Sequence, residues 1–350
     1  MRWVSDKGLH HLLGVAIVPD FEGTKYRILG EISSGGMGTV YRAEDTELGR
    51  QLAIKVLNVT EADESIAQRM VREAQIIARL EHPGIVPVHD VGTLPDGRVF
   101  YAMKLVRGGR LDEFVAGNVS AKDRLRKFQA VCEAVAFAHA HGVIHRDLKP
   151  QNIMIGSFGE VLVLDWGVAK MIATHTSVED ELEADTLLLP PRQGAGNQLT
   201  NNGDNTSPGT IIGTPNYMSP EQARGEINLL DERSDIYSLG AILYFLLTNK
   251  SPRRSEAGTS PRPRELNSKV SKAAEAVCLK AMAFSGADRY TSASELAADV
   301  VHLIDDEPVS AYRENLFERV ARWLNKNRFL VLLVLAYLLM RIFLAFSARR

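Results

Sequence analysis

The sequence predicts an α+β fold in which a strand-rich N-lobe precedes a helical C-lobe, with a transmembrane helix at the C-terminus. The first hundred residues consist mainly of short strand-like segments separated by glycine-containing turns. After Gly108-Gly109 the apolar residues recur at helical spacing over long segments. A third observation is the run 329–346, FLVLLVLAYLLMRIFLAF, which has the length of a short membrane span and is interrupted by Arg341.

The N-lobe is predicted to contain four strands and one helix. Strand-like segments at 26–31 and 39–43 flank a glycine-rich turn, and a third segment covers 51–57. Residues 64–80 carry apolar side chains at helical spacing and end before a His-Pro-Gly turn, which predicts a helix. The segment 99–105 follows a Pro-Asp-Gly turn and is predicted to be another strand.

The C-lobe is predicted to be built on helices at 121–140, 234–247 and 271–284. Residues 174–208 differ, because they are rich in Thr, Asn, Gly, Pro and acidic residues and show no sustained apolar period. This composition indicates an insertion rather than a domain. The predicted boundaries are 1–25 for an N-terminal extension, 26–106 for the N-lobe, 107–304 for the C-lobe, 305–328 for a juxtamembrane segment and 329–346 for the transmembrane helix.

The composition argues against several classes of protein. With 350 residues, 45% of them hydrophobic and 24% charged, the chain has the profile of a globular two-lobed enzyme. A formal net charge of −2 gives no indication of nucleic acid as a partner. The two cysteines, Cys132 and Cys278, have no CxxC spacing, so we expect reduced, buried thiols rather than a disulfide scaffold or a zinc site.

The turn Ser33-Ser34-Gly35-Gly36-Met37-Gly38-Thr39-Val40 has the composition of a phosphate-binding loop. Glycines let the backbone approach phosphate oxygens and offer N–H donors with no Cβ in the way. A tight hairpin would explain such a turn equally well on its own. The following apolar strand, however, ends at Lys55, which can hold nucleotide phosphates, and Glu73 on the next predicted helix can fix that lysine.

The segment His145-Arg146-Asp147-Leu148-Lys149-Pro150-Gln151-Asn152 carries the strongest chemical signal. Asp147 can orient an attacking hydroxyl and accept its proton, while Lys149 can offset charge on a transferred phosphoryl group. Asn152 and Asp165, which follows a buried strand, can bind Mg²⁺ through hard oxygen atoms. An isolated Asp is more often a turn or helix cap, but that explanation does not account for all these groups in one order.

Together these stretches resemble the signature set of the protein kinase family: Gly-rich loop, strand lysine, HRD loop, DFG and APE. The match runs from about Tyr26 to Leu303, with Ser219-Pro220-Glu221 in the place of APE. Lys149, together with Gly213-Thr214-Pro215, follows the Ser/Thr pattern rather than the Tyr pattern. The sequence is therefore similar to bacterial Ser/Thr protein kinases of the eukaryotic-like type, and a two-lobed protein kinase fold is expected.

The resemblance implies that ATP and Mg²⁺ are used to transfer the γ-phosphoryl group to Ser or Thr hydroxyls of proteins. The implied catalytic residues are Asp147, Lys149, Lys55 and Glu73, and the implied metal ligands are Asn152 and Asp165. Met103 resembles the gatekeeper, and Lys104 to Val106 resemble the hinge that meets adenine. The implied nucleotide-binding residues are Ser33, Gly35, Gly36, Gly38, Val40, Ala53, Lys55, Met103, Lys104 and Leu105.

The resemblance also implies that Asp235 holds the backbone of the catalytic loop and that Arg289 pairs with Glu221. Two residues depart from the family pattern, since Ser33 stands at the first glycine position and Trp166 replaces the usual Phe after the metal-binding Asp. The activation segment also carries the insertion 174–208. Residues 248–266 are too short and too rich in Pro and Arg for the helix that usually helps to dock substrates.

The sequence disfavours three functions other than that of a protein kinase. A membrane-tethered pseudokinase scaffold would be favoured by loss of a catalytic group, and none is lost. A small-molecule kinase is disfavoured by Gly213-Thr214-Pro215 and Ser219-Pro220-Glu221, because such an element shapes a groove for a peptide. A P-loop ATPase is excluded because the chain has no GxxxxGK[ST] run.

Regulation and location are also predicted. One or more of Thr206, Ser207 and Thr210 is expected to be phosphorylated in trans by a second copy through self-association, and Arg146 could bind the resulting phosphate. The run 329–346 is expected to make the protein a single-pass membrane protein. Basic residues before that run, and the need for ATP, place the kinase domain in the cytoplasm.

Overall fold

The computed structural model describes residues 19–35, 38–56, 71, 74–75, 77–117, 119–166, 170–171, 215–226, 230–253 and 260–347. The predicted insertion 174–208, the phosphoacceptor candidates Thr206, Ser207 and Thr210, and the catalytic candidate Glu73 lie outside these residues. Gly36, Gly213 and Thr214 do so as well.

The N-lobe is one antiparallel sheet of five strands in the order β1-β2-β3-β5-β4. Its central strand β3 is buried from Leu52 to Val56, and its apolar residues pack in a cluster that includes Phe21 and Phe100. The helix predicted at 64–80 is confirmed for the described residues between 71 and 78. The strands are β1 (Tyr26–Gly35), β2 (Gly38–Asp45), β3 (Arg50–Val56), β4 (Val88–Thr93) and β5 (Val99–Lys104).

The C-lobe is helical and contains the largest hydrophobic core. Its centre is formed by α2 and α4, and α4 is almost completely buried. Gly240 lets α4 approach α6 closely, because a Cβ there would lie 2.8 Å from the Cβ of Ala281. The helices are α1 (Leu111–Ala116), α2 (Ala121–Ala140), α3 (Pro220–Ala223), α4 (Glu232–Thr248), α5 (Pro263–Leu266), α6 (Lys272–Ala281), α7 (Ala293–Ile304), α8 (Leu316–Lys326) and α9 (Arg328–Ser347).

Two small sheets at the start of the C-lobe carry the loops that form the site. The strands β6 (Gly108–Arg110), β8 (Ile153–Gly156) and β9 (Val161–Val163) form one sheet, and β7 (Val143–Ile144) pairs with β10 (Lys170–Met171). The backbone of β9 also pairs with Ile85, which ties the sheet to the segment after the N-lobe helix. The chain leaves β7 and β9 directly into the two polar segments that the sequence predicts to be functional.

The region after α4 is short, as the sequence predicts. Among the described residues between Thr248 and Leu266, the helical part is the four-residue α5. Both cysteines are free and buried, which confirms the expectation of unpaired thiols, and burial raises the pKa of Cys132 and Cys278.

The predicted transmembrane helix is observed as a helix but not as a membrane span. A helix is present at Arg328–Ser347, but within the described part of the chain no helix has both the length and the apolar character needed to cross a bilayer.

Candidate active site

The loop after β7 is held by a buried carboxylate on α4. Asp235 accepts hydrogen bonds from the backbone N–H groups of His145 and Arg146, each at 2.8 Å. Arg146 has a φ of 68°, a left-handed conformation that costs free energy for a non-glycine residue and that these bonds stabilise. This confirms the implied role of Asp235, which fixes the loop that carries Asp147.

His139 on α2 is a further partner of Asp235 that the sequence analysis missed. Its Nε2 lies 2.8 Å from Asp235 Oδ2, and both residues are buried. Burial alone would raise the pKa of Asp235, but the hydrogen bond from His139 and those from the loop keep it below its ordinary value. A signal was present, because His139 is a polar residue on the helix face that buries Val131 and Val135.

The carboxylate of Asp147 lies at the centre of a short hydrogen-bonded group. Its Oδ2 accepts from Lys149 Nζ at 2.7 Å and from the amide nitrogen of Asn152 at 3.1 Å. The Asn152 amide nitrogen also donates to the backbone carbonyl of Asp147 at 2.8 Å. Among the described residues, Asp147 Oδ1 therefore remains available to an incoming hydroxyl group, and Asn152 Oδ1 to a cation.

Asp165 follows β9 and makes an ion pair with Lys55 across the interface of the two lobes. The Nζ of Lys55 lies 2.5 Å from Asp165 Oδ1. The lysine side chain is 10% exposed and the aspartate side chain 43%. Partial desolvation works to raise the pKa of Asp165, but the adjacent Lys55 ammonium lowers it below the ordinary value. The predicted partner of Lys55, Glu73, is outside the described residues, so that pairing stays a prediction.

Trp166 connects the two polar segments. It is fully buried, its indole N–H donates to the carbonyl of Val163 at 3.3 Å, and its ring packs on His145 with 4.6 Å between ring centroids. His145 Nε2 in turn hydrogen-bonds the carbonyl of Leu164 at 3.0 Å. The residue that departs from the family pattern is thus part of the packing that holds Asp147 and Asp165 near each other.

The residues predicted to bind the nucleotide come together on adjacent strands of the N-lobe sheet. Val40 on β2 is opposite both Ser33 on β1 and Lys55 on β3. Ala53 is opposite Met103, the predicted gatekeeper. Gly35 and Gly38 form the last pair of the β1–β2 hairpin, two residues before Val40, which is opposite Lys55. At the other end of the site, Lys104 is exposed and Leu105 is half-buried.

The donor set fits Mg²⁺ held together with phosphates. Asn152 Oδ1 and the Asp165 carboxylate are hard oxygen ligands, and Mg²⁺ usually keeps waters and substrate phosphates as its other ligands. In the part of the chain that the structure describes, no group of three or more His, Cys, Asp or Glu side chains could hold a metal ion by itself. Asn152 and Asp165 are therefore the residues that would hold Mg²⁺ together with bound phosphates.

A buried ion pair supports the segment beyond the activation loop. Arg289 donates to both oxygens of Glu221, at 2.7 Å and 2.8 Å, and Ser234 Oγ donates to the same carboxylate at 2.8 Å. Burial raises the pKa of Glu221, but these donors outweigh burial and bring it to about 2. The implied pairing of Arg289 with Glu221 is confirmed.

Gln222, the residue after Glu221, joins this support to the catalytic loop. Its side-chain amide nitrogen donates to the backbone carbonyl of Arg146 at 2.7 Å. This role of Gln222 was not predicted, because a glutamine at the start of a helix does not indicate a contact with a residue 76 positions away in the sequence. The start of α3 and the catalytic loop are therefore one hydrogen-bonded unit.

Comparison with known proteins agrees with this geometry. A family model described as the protein kinase domain matches residues 26–307. Serine/threonine-protein kinase PknD of Chlamydia abortus is 34% identical over 306 residues, which cover 81% of this chain and 31% of PknD. Serine/threonine-protein kinase PknB of Mycobacterium tuberculosis is 37% identical over 300 residues, which cover 81% of this chain and 44% of PknB.

The fold has a counterpart among solved structures. The crystal structure of the Mycobacterium tuberculosis PknI kinase domain matches with a TM-score of 0.60 at 24% identity, covering 82% of this chain and 99% of that domain. This likeness shows the two-lobed fold. The chain belongs to the protein kinase family, within the eukaryotic-like Ser/Thr kinases of bacteria. It spans less than half the length of both curated relatives.

Proposed function

We propose that this protein is an ATP-dependent Ser/Thr protein kinase that transfers the γ-phosphoryl group to protein hydroxyls. The observation that carries the proposal is the hydrogen-bonded group of Asp147, Lys149 and Asn152, held next to Asp165 and Lys55. Two carboxylates, two ammonium groups and one amide in this arrangement suit in-line transfer of a charged phosphoryl group.

Each residue has a separate task in the proposed transfer. Asp147 orients the substrate hydroxyl and accepts its proton at Oδ1, while Lys149 offsets negative charge on the moving phosphoryl group. Lys55 contacts the phosphates of ATP. Asn152 and Asp165 hold Mg²⁺, which when bound neutralises charge on the triphosphate.

The first test of this proposal is incubation of the purified full chain with γ-labelled ATP and Mg²⁺, followed by analysis of phosphorylated amino acids. We expect phosphoserine or phosphothreonine on the chain itself or on generic protein substrates. Label found only on tyrosine would contradict the Ser/Thr assignment. No label with Mg²⁺ or Mn²⁺ would favour the pseudokinase scaffold.

Regulation by phosphorylation is the second part of the proposal. We propose that Thr206, Ser207 or Thr210 is phosphorylated by a second copy and that Arg146 binds the phosphate. One feature of Arg146 supports this: its guanidinium Nε is buried and lacks a hydrogen-bond partner among the described residues. Phosphopeptide mapping of active enzyme tests it, and phosphate absent from residues 168–210 would count against it.

Attachment to a membrane is the third part. The apolar run 329–340 supports attachment, and the requirement for ATP places the catalytic lobes on the cytoplasmic side. Fractionation decides the matter: full-length protein released from the membrane pellet by high salt would be inconsistent with attachment through an apolar tail.

A further inference from the structure

Helix α8 lies against the catalytic domain with its polar face inward. Residues Glu318, Arg322 and Lys326 are spaced four apart and therefore share one face of the helix. Glu318 forms an ion pair with α6 of the domain, and Arg322 and Lys326 form ion pairs with the segment between α7 and α8. The contacts are Glu318 with Lys272 at 2.6 Å and with Tyr312 at 2.9 Å, Arg322 with Glu314 at 2.5 Å, and Lys326 with Glu307 at 3.2 Å.

The apolar face of α8 points away from the domain. Leu316, Phe317, Val320, Trp323 and Leu324 are all exposed, and none belongs to a hydrophobic core of the described residues. An amphipathic helix on a globular domain normally buries its apolar face and exposes its polar face. The opposite orientation here leaves a contiguous apolar surface that needs another partner.

The helix that follows indicates what this partner is. In α9 the four consecutive residues 332–335 are all exposed and apolar. Consecutive helix positions differ by about 100°, so these residues face all sides of the helix. A protein partner would cover one face, whereas lipid surrounds a helix on every side. Because α8 and α9 are separated by Asn327 alone, the same partner reaches both.

Charge and aromatic residues agree with a lipid surface. Arg319 is exposed beside the apolar face of α8, where it can reach anionic headgroups. Trp323 has an apolar ring with one polar group, which is the type of side chain enriched at the boundary between headgroups and acyl chains. It is exposed.

We propose that α8 is an interfacial helix that lies in the plane of a bilayer surface containing anionic lipid. Its apolar face enters the headgroup–acyl boundary. On the opposite face, Glu318 joins the helix to α6 of the catalytic domain, and Arg322 and Lys326 join it to the segment between α7 and α8. The inference deepens the proposed membrane attachment, and it stands whether or not the lobes transfer phosphate.

The test uses the depth of Trp323 in the bilayer. Full-length protein is reconstituted with vesicles of phosphatidylcholine and phosphatidylglycerol that carry brominated acyl chains, which quench nearby tryptophans. We expect bromines close to the headgroups to quench more than bromines at the chain ends. The chain has three tryptophans, so Trp323→Phe identifies the source and should remove more than half of the quenching.

A matched pair of substitutions tests the face itself. Phe317 and Phe158 are both highly exposed, at 87% and 99%, but Phe158 lies in the turn between β8 and β9. Phe317→Asp should reduce quenching of Trp323 at least twofold, because it places a charge at the boundary, while Phe158→Asp should leave it unchanged. Labelling with γ-labelled ATP in both variants reports the proposed kinase activity separately.

Two results would overturn the proposal. If vesicles bind the protein but quench wild type and Trp323→Phe equally, attachment occurs through α9 and α8 stays in water. If the protein in mild detergent without vesicles is a dimer that Phe317→Asp dissociates, the apolar face of α8 is covered by a second copy.

Discussion

The ammonium of Lys55 lies 2.5 Å from the carboxylate of Asp165, so a residue of the N-lobe sheet directly contacts the segment that follows β9 in the C-lobe. The pair links the predicted phosphate-binding lysine to the predicted metal ligand. The two residues are 110 positions apart in the sequence, so it is the placement of the two lobes that brings the ammonium and the carboxylate together.

Replacing Lys55 tests this link. Lys55→Met keeps an unbranched side chain in the pocket but removes the charge, so we expect the fold to persist and phosphotransfer to fall by about a hundredfold or more. Steady-state kinetics with varied ATP measure the effect. The exposed Lys269→Met is the control and should behave as wild type. Equal activity of Lys55→Met and wild type would contradict the role of Lys55.

The buried Asp235 provides a prediction about stability. Asp235→Asn keeps the shape of the side chain but replaces one carboxylate oxygen with an NH₂ group, which cannot accept hydrogen bonds from His139 or from the loop. We therefore expect a loss of about 3–5 kcal/mol in the free energy of unfolding. Urea denaturation measures it. Asp231→Asn is a matched control on the same helix, because Asn caps a helix N-terminus as well as Asp does. Equal urea midpoints for both variants would contradict the account.

Glu221 predicts a pH dependence. Its pKa is lowered from 4.5 to about 2, so its contribution to stability is fully present above pH 4.5 and is lost as the pH falls towards about 2. The full contribution is about 3 kcal/mol, since one pKa unit corresponds to about 1.4 kcal/mol. Glu221→Gln should therefore be less stable than wild type at pH 7, and the difference should shrink between about pH 5 and pH 3.

Chemical denaturation at several pH values measures this difference. The control is Glu47→Gln at an exposed position, for which we expect a small difference from wild type at every pH. A gap between wild type and Glu221→Gln that stays constant from pH 7 to pH 3 would mean that the Glu221 carboxylate is not the titrating group.

Replacing Trp166 should affect the stability of the fold more than the rate of phosphotransfer. Trp166→Phe restores the family residue but removes the indole N–H that bonds Val163, so we expect a loss of about 1–3 kcal/mol in unfolding free energy. Because Asp165 is retained, phosphotransfer should stay within about fivefold of wild type. The exposed Trp323→Phe serves as the stability control. A loss of activity as large as that of Asp165→Asn would mean that Trp166 acts in the chemistry itself.

Local patterns predicted the motif residues, four of the five N-lobe strands and the long C-lobe helices α2, α4 and α6. Helix 121–140 is observed with the predicted bounds, and 234–247 is extended only to Glu232–Thr248. The first strand reaches Gly35, beyond the predicted 31, because its glycines pair across the hairpin. Strand β4 (Val88–Thr93) was missed, since Asp90 and Gly92 interrupt its strand-forming residues and its pairing with β5 stabilises it.

The contacts that complete the site could not be read from local patterns. His139 with Asp235 and Gln222 with Arg146 join residues 96 and 76 positions apart, and only the packed fold brings them together. Ionic pairing of Lys55 with Asp165 was likewise not expected, because the sequence offered Glu73 as the partner. The membrane span at 329–346 stays a prediction.

The central claim is that Asp147 serves phosphoryl transfer, and one measurement tests it most directly. Initial rates of transfer from γ-labelled ATP with Mg²⁺ are compared for wild type, Asp147→Asn and the exposed control Asp305→Asn. We expect wild type and Asp305→Asn to label Ser or Thr at the same rate and Asp147→Asn to be slower by about a thousandfold, with an unchanged urea midpoint. Equal rates for Asp147→Asn and wild type would contradict the account.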